Sequence, residues 1–225
     1  MTAREVSGRR ETGKQARREA LLDVARAILE EGDLSMRQLA DRAGVAHATP
    51  YNLFGSKRDL LAALYLSQRQ RLETRLATMT LDPLAGLLMA IELIADDLAQ
   101  QPHFHRALYR AIYRADVGVT SEPAPTDPGV DFWIAQVGAA EAAGCFRPGA
   151  RVDLFQRCVV NLITGAMLDW TEHRVDAEAW GVGVRYGIAL LSLPLVEAPA
   201  RAQLETIINS PAQKDQRLPV ASSPA

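Results

Sequence analysis

The sequence predicts an all-α protein: a compact three-helix head near the N-terminus and a larger C-terminal helical body, about nine helices in total. Two observations carry this. Apolar residues recur mostly at three- and four-residue spacing, the helical period, and strand-like alternation is weak. Glycines, prolines and capping residues punctuate the chain at helix-length intervals.

Taken in order, Leu21, Leu22, Ala25, Ile28 and Leu29 form one stripe, closed by Gly32. Ser35-Met36-Arg37-Gln38 has the form of a capping box and opens a short helix with Met36, Leu39, Ala40 and Ala43 on its apolar face. Gly44 breaks it, and a third short segment runs through Thr49 and Phe54 to Gly55. Ser56-Lys57-Arg58-Asp59 then starts a long helix through Leu60, Leu61, Leu64, Leu72 and Leu76. Asp82-Pro83 and Asp127-Pro128 each place an N-cap residue before a proline suited to the first helical turn. Helices are expected over about 83–100, 103–115, 128–144, 151–173 and 177–193, with a turn-rich loop at 116–128. After Pro194 the chain is expected to be a partly disordered tail, with room for a short helix around 201–208.

The chain has 225 residues, 48% hydrophobic and 23% charged, the balance of a globular protein rather than a disordered chain. Cys145 and Cys158 cannot make a secreted disulfide framework. The longest apolar run, near Gly187 to Val196, is far short of a membrane span, and the N-terminal MTAREVSGRRETGK has no signal-peptide core, so a cytoplasmic location is expected. The net charge of −2 is unevenly distributed. Residues 1–80 carry 14 Lys and Arg against 10 Asp and Glu, whereas residues 81–225 carry 11 against 17. A basic end on an acidic body is expected when only one end meets phosphate.

The spacing over residues 35–54, helix, tight turn at Ala43-Gly44-Val45, then short helix, is that of a helix-turn-helix, whose second helix enters the DNA major groove. Gly44 suits the turn because it tolerates positive φ. The same segment, Leu34 to Val45 followed by Thr49, Tyr51, Phe54, Ser56-Lys57 and Leu60-Leu61, resembles the TetR family of bacterial transcriptional regulators. The likeness covers roughly residues 16–65 and rests on the A-x-x-A-G-V turn, the T-x-Y-x-x-F segment and the S-K start of the fourth helix.

The resemblance implies a homodimer in which each subunit carries a DNA-binding head and a ligand-binding and dimerisation body. The expected divisions are a basic flexible arm (1–15), the helix-turn-helix DNA-binding domain (16–62), the body (63–195) and the tail (196–225). Carried over residue by residue, Ser35 and Arg37 lie near phosphate. His47, Ala48, Thr49 and Asn52 face base edges or the adjoining backbone. Tyr51 and Lys57 hold phosphates. Two departures bear on this: Ala46 stands where the family has a small N-cap, often Ser, and Pro50 where it has an aliphatic residue. Thr-Pro is itself a good start to a helix, so the recognition helix is expected near Thr49 rather than Ala46. Leu53 also replaces the His or Tyr common before the final Phe.

For the body, the resemblance implies a cavity for a small hydrophobic effector. Phe104, Tyr109, Tyr113, Trp133 and Trp170 are its expected apolar walls, and Gln136, Asn161 and Thr164 its polar contacts. A roughly palindromic double-stranded operator follows from a two-fold dimer. No catalytic residue, metal or cofactor is expected: His103 and His105 are two apart on a helix and point away from each other, and Gly181, Gly183 and Gly187 lack the preceding strand a phosphate loop requires. The residues leave three readings open: a ligand-responsive regulator, most simply a repressor; a DNA-binding dimer without an effector; and a helical protein whose hairpin is coincidental.

Overall fold

The structure, a computed structural model, describes residues 3–115, 128–198 and 200–210. Among these there are ten α-helices and no strand: α1 (Ala3–Glu31), α2 (Met36–Arg42), α3 (Ala48–Phe54), α4 (Lys57–Ala77), α5 (Pro83–Gln100), α6 (Pro102–Ala115), α7 (Pro128–Ala142), α8 (Val152–Thr171), α9 (Ala177–Ser192) and α10 (Ala200–Ile208). A 3₁₀ turn at Leu193–Leu195 separates the last two.

The chain divides into two compact units: residues 1–70 with 101–123, and residues 71–100 with 124–225. This differs from the expected boundaries in one respect that matters. The head takes in α6, because that helix has an apolar face of its own to bury. Phe104 and Leu108 join Leu21, Ile28, Leu39, Leu60 and Leu64 in one core. Glu30 at the end of α1 accepts a hydrogen bond from the Phe104 N–H at 2.7 Å, satisfying one of the free donors in the first turn of α6. The Arg26 guanidinium, bonded to Gln68 Oε1 at 3.1 Å, lies 5.4 Å over the Phe104 ring.

Within the basic segment expected to be a flexible arm, residues 3–15 form the first part of α1. From Ala3 to Gln15 it contains no proline and is rich in Arg and Glu, both good helix formers. Gly8 and Gly13 weaken it without ending it. An (i, i+4) hydrogen bond from Gln15 to Glu19 supports the helix further along.

In the second unit α5, α7, α8 and α9 pack on one another. Two glycines set how closely. A Cβ at Gly181 would lie 2.8 Å from Ala95 Cβ, so α9 approaches α5 closely only because Gly181 has no side chain. A Cβ at Gly187 would meet the flexible tip of Leu162 on α8 at 2.7 Å. Gly183 faces open space. The Arg185–Glu92 and Arg75–Asp97 pairs add polar ties at 2.8 and 2.7 Å. Part of the expected tail is ordered here, since α10 packs on α9 with Leu204 fully buried. Residues 211–225, and all of the expected loop at 116–128 except Pro128, lie outside the described residues.

His103 is exposed and His105 buried, as their spacing requires. The His105 ring packs edge-on to Phe104 and stacks on Tyr109. Burial, reinforced by the nearby Arg26 cation, pushes its pKa from 6.5 down to about 4. Above pH 6.5 the ring is neutral in both folded and unfolded chains and adds no pH dependence. As pH falls from 6.5 towards 4, the unfolded chain takes up a proton that the folded chain refuses, so stability is lost through that window, by up to about 3 kcal/mol. Urea midpoints measured at pH 7.5 and pH 5 are therefore expected to fall further in the native protein than in His105→Gln. Equal falls in both would remove His105 as the cause.

Candidate DNA-contacting site

The helix-turn-helix is built from two seven-residue helices and the turns that bound them. At the start of α2, Ser35 has extended backbone and its Oγ accepts the Gln38 N–H at 3.1 Å, as the capping pattern requires. Met36, Leu39 and Ala40 are buried. Gly44 takes φ +64°, and the Val45 N–H returns to the Ala40 carbonyl at 3.0 Å. This left-handed closure stops α2 and redirects the chain. The recognition helix α3 begins at Ala48, between the two starts weighed from sequence. Pro50 falls in its first turn, where its missing N–H costs no intrahelical bond and its fixed φ is helical. Pro50 is also buried with Phe54, which offsets the strain that a proline imposes on Thr49 before it. Gly55 ends α3 at φ +85°. Ser56 Oγ then accepts the Asp59 N–H at 3.1 Å and donates to the Asp59 carboxylate at 2.6 Å, opening α4 with Lys57 at its first position.

These turns leave one set of side chains outside. Ser35, Arg37, His47, Ala48, Asn52 and Lys57 are exposed, and Tyr51 keeps 53% of its surface in solvent although it is a large aromatic. Thr49, expected to face bases or backbone, is only half-exposed, and its N–H is used within the turn, donating to the Ala46 carbonyl at 2.8 Å. Two seven-residue helices, a tight turn and an adjoining helix N-terminus thus present a polar and aromatic surface over a closed apolar core. Such a surface suits phosphate contacts from Lys57 and Tyr51, and base contacts from the start of α3.

Three charged residues near this surface carried no signal in the sequence. Arg18 on α1 donates from Nη1 to the Leu53 carbonyl at 2.9 Å, and its guanidinium lies 4.6 Å over the Phe54 ring. It therefore satisfies one of the last carbonyls of α3 and places a cation at the negative end of that helix. Arg42 makes a two-point ion pair with Glu31, which ties α2 to the end of α1 and holds the Glu31 carboxyl below its usual range. Asp41 Oδ1 meets His47 Nε2 at 2.6 Å. Each pairing joins residues 6 to 35 apart in sequence, which no local pattern reveals.

The expected effector contacts are divided between the two units. Phe104 is fully buried in the core of the first unit, and Tyr109 lies in the same unit. Tyr113 is in α6, with its side chain outside the described residues. In the second unit Trp133 and Trp170 are buried and Gln136 is half-buried. Asn161 and Thr164 are exposed on α8, because that face is turned away from α7 and α9.

Residues 21–64 match the family model for bacterial regulatory proteins of the tetR family. No curated protein sequence matches the chain. Among solved structures it resembles a TetR transcriptional regulator from Rhodococcus sp. RHA1, with a TM-score of 0.61 and 22% identity, covering 80% of this chain and 97% of that one. It also resembles TylP, a TetR regulator from Streptomyces fradiae, with a TM-score of 0.57 and 19% identity over 93% of this chain and 96% of that one. A third likeness is to RolR, solved in complex with the ligand resorcinol, with a TM-score of 0.52 and 15% identity over 89% and 97% of the two chains.

The Arg18 contact yields a direct test. Arg18→Met should destabilise the protein by about 1–2 kcal/mol, the low end for a hydrogen bond from a charged group because the contact is only part-buried, and should speed amide exchange at the end of α3 before it does so in α8. An unchanged urea midpoint with unchanged exchange would show that the contact does not hold α3. Residues 21–64 thus carry the helix-turn-helix motif of the tetR family in the expected place, and the chain as a whole shares the fold of these regulators.

Proposed function

We propose that the protein is a ligand-responsive DNA-binding repressor that acts as a homodimer on a roughly palindromic operator. The observation that carries this reading is the exposed set on α2, α3 and the start of α4. Ser35, Arg37, Tyr51 and Lys57 would grip phosphates, and His47, Ala48, Thr49 and Asn52 would meet base edges or the backbone beside them. An exposed tyrosine and histidine on a surface with so little apolar content have no packing role to explain them.

A second copy of the chain is the partner best suited to the outer face of the body. On α8, Leu154, Asn161, Gly165 and Leu168 form one exposed stripe at helical spacing, and on α9 Gly183 and Leu190 do the same. Leu154, Leu168 and Leu190 keep 46%, 45% and 44% of their surfaces in solvent. Two helices from each subunit would bury these leucines in a four-helix contact about a two-fold axis, with the small residues allowing close approach. Asn161 belongs to this stripe and Thr164 is exposed beside it, so the effector contacts proposed for the second unit narrow to Trp133, Gln136 and Trp170. A small apolar, aromatic effector is in keeping with those residues and with the bound resorcinol of RolR. Such an effector releases DNA only if it binds the non-DNA-binding state more tightly, since equal affinity for both states shifts nothing.

Selection from a pool of random duplexes, followed by mobility-shift assays with apolar compounds, tests the whole reading. The expected outcome is a two-fold-symmetric enriched sequence, tight binding at low salt, and release by a compound that also raises the unfolding temperature. Removing the positive charge of Lys57 or Arg37 should weaken binding to all duplexes alike, and Gly183→Leu should yield monomers in light scattering. Enrichment of no sequence would overturn DNA recognition. Release by no compound that binds would instead favour a DNA-binding dimer without an effector.

A further inference from the structure

The turn between α2 and α3 holds a carboxylate–imidazole hydrogen bond that bears on how the head reads sequence. Asp41 lies in the last turn of α2, and His47 immediately precedes α3. Their side chains meet at 2.6 Å, Oδ1 to Nε2, while more than half of each side chain stays in solvent. A carboxylate accepts hydrogen bonds and has none to give, so Nε2 carries the proton and donates it. The tautomer of a histidine is set by the bond that one of its nitrogens makes. With Nε2 committed, Nδ1 is the nitrogen left for a base edge. In the neutral ring Nδ1 accepts, which suits the amino group of adenine or cytosine; in the protonated ring it donates, which suits N7 or O6 of guanine. An unrestrained histidine exchanges tautomers and turns its ring, so it presents either nitrogen in either role.

We propose that Asp41 is a specificity-determining residue of the head, which fixes the tautomer and orientation of His47 so that one nitrogen, Nδ1, reads one base pair. The proposal rests on the reading of His47 as a base contact and goes beyond it, because Asp41 acts through His47 and touches no DNA. The other charged groups nearby do not compete for this role. Arg42 is held by Glu31, Arg37 is two residues past the N-cap at the far end of α2, and α3 carries no charged residue. A purely structural role is a poor explanation for the pair. Exposed ion pairs contribute little to stability, and the turn is already closed by the backbone bonds from Gly44 to Asp41 and from Val45 to Ala40.

The test has two parts. In the free protein, nitrogen-detected NMR of the imidazole shows which nitrogen carries the proton. The native ring is expected in the Nε2–H form, and Asp41→Ala is expected to give a mixture. A native ring that is mixed or in the Nδ1–H form overturns the proposal and leaves DNA reading by the head untouched. On DNA, competition against a panel of singly substituted operators measures discrimination at each base pair. Asp41→Ala should lower discrimination about tenfold at the one base pair where His47→Ala lowers it, without weakening binding to a scrambled duplex. In the double variant the second substitution should change nothing further at that position. Loss at a different base pair, or additive loss, overturns the proposal. If His47→Ala leaves discrimination intact everywhere, the base-reading role itself fails and the proposal fails with it.

Discussion

Everything that α3 presents depends on a core that α3 barely contributes to. A helix of seven residues is too short to hold itself in water, and α2 and α3 are both that length. They exist as helices because Met36, Leu39 and Phe54 share one core with Leu21, Ile28, Leu60 and Leu64, and Ala40 and Pro50 are buried as well. The apolar stripe of α1 is therefore the constraint from which the functional surface follows. It sets where α2 lies, the Gly44 turn sets where α3 goes from there, and the outward residues are those the core has no room for. The same argument explains why α6 belongs to the head: Phe104 and Leu108 complete the core that α1 begins.

Polar contacts then refine a placement that burial has already made. Arg18 finishes α3, Arg42 ties α2 to α1 through Glu31, and Asp41 engages His47. The Arg42–Glu31 and Asp41–His47 pairs contribute little to stability by themselves, since both lie at the surface. Their effect is on precision: an off-axis recognition helix or a turning imidazole would cost a DNA-binding head selectivity before it cost stability. In the body, the corresponding constraint is the approach of α9 to α5 at Gly181 and Ala95, where a single methyl group has no space.

Most of the fold was legible in the sequence because its signals are local. Gly32, Gly44, Gly55, Ser35, Ser56 and the Asp-Pro pairs end or begin helices through bonds to their own neighbours, and these marked the elements to within a residue or two. What was not legible depended on distant partners. The basic segment before Ala16 looked like an arm because it has no apolar stripe, yet its helix propensity carries α1 back to Ala3. The start of α3 was pulled both ways by Ala46 and Pro50, and burial of Pro50 decides it. Assigning α6 to the head required knowing that Phe104 meets α1. For the site, residue types at motif positions identified the exposed set, whereas Arg18, Asp41 and the outward turn of Asn161 and Thr164 follow from the packed structure alone.

The central claim is that this core holds α2 and α3 so that their outward residues meet DNA. Hydrogen exchange read by mass spectrometry, with and without a duplex carrying the selected sequence, tests it most directly. The account predicts slowed exchange concentrated in residues 35–60, with the core segments of α1 and α4 already slow in the free protein because they are the frame. Protection confined to the second unit, or fast exchange in α1 of the free protein, would contradict it.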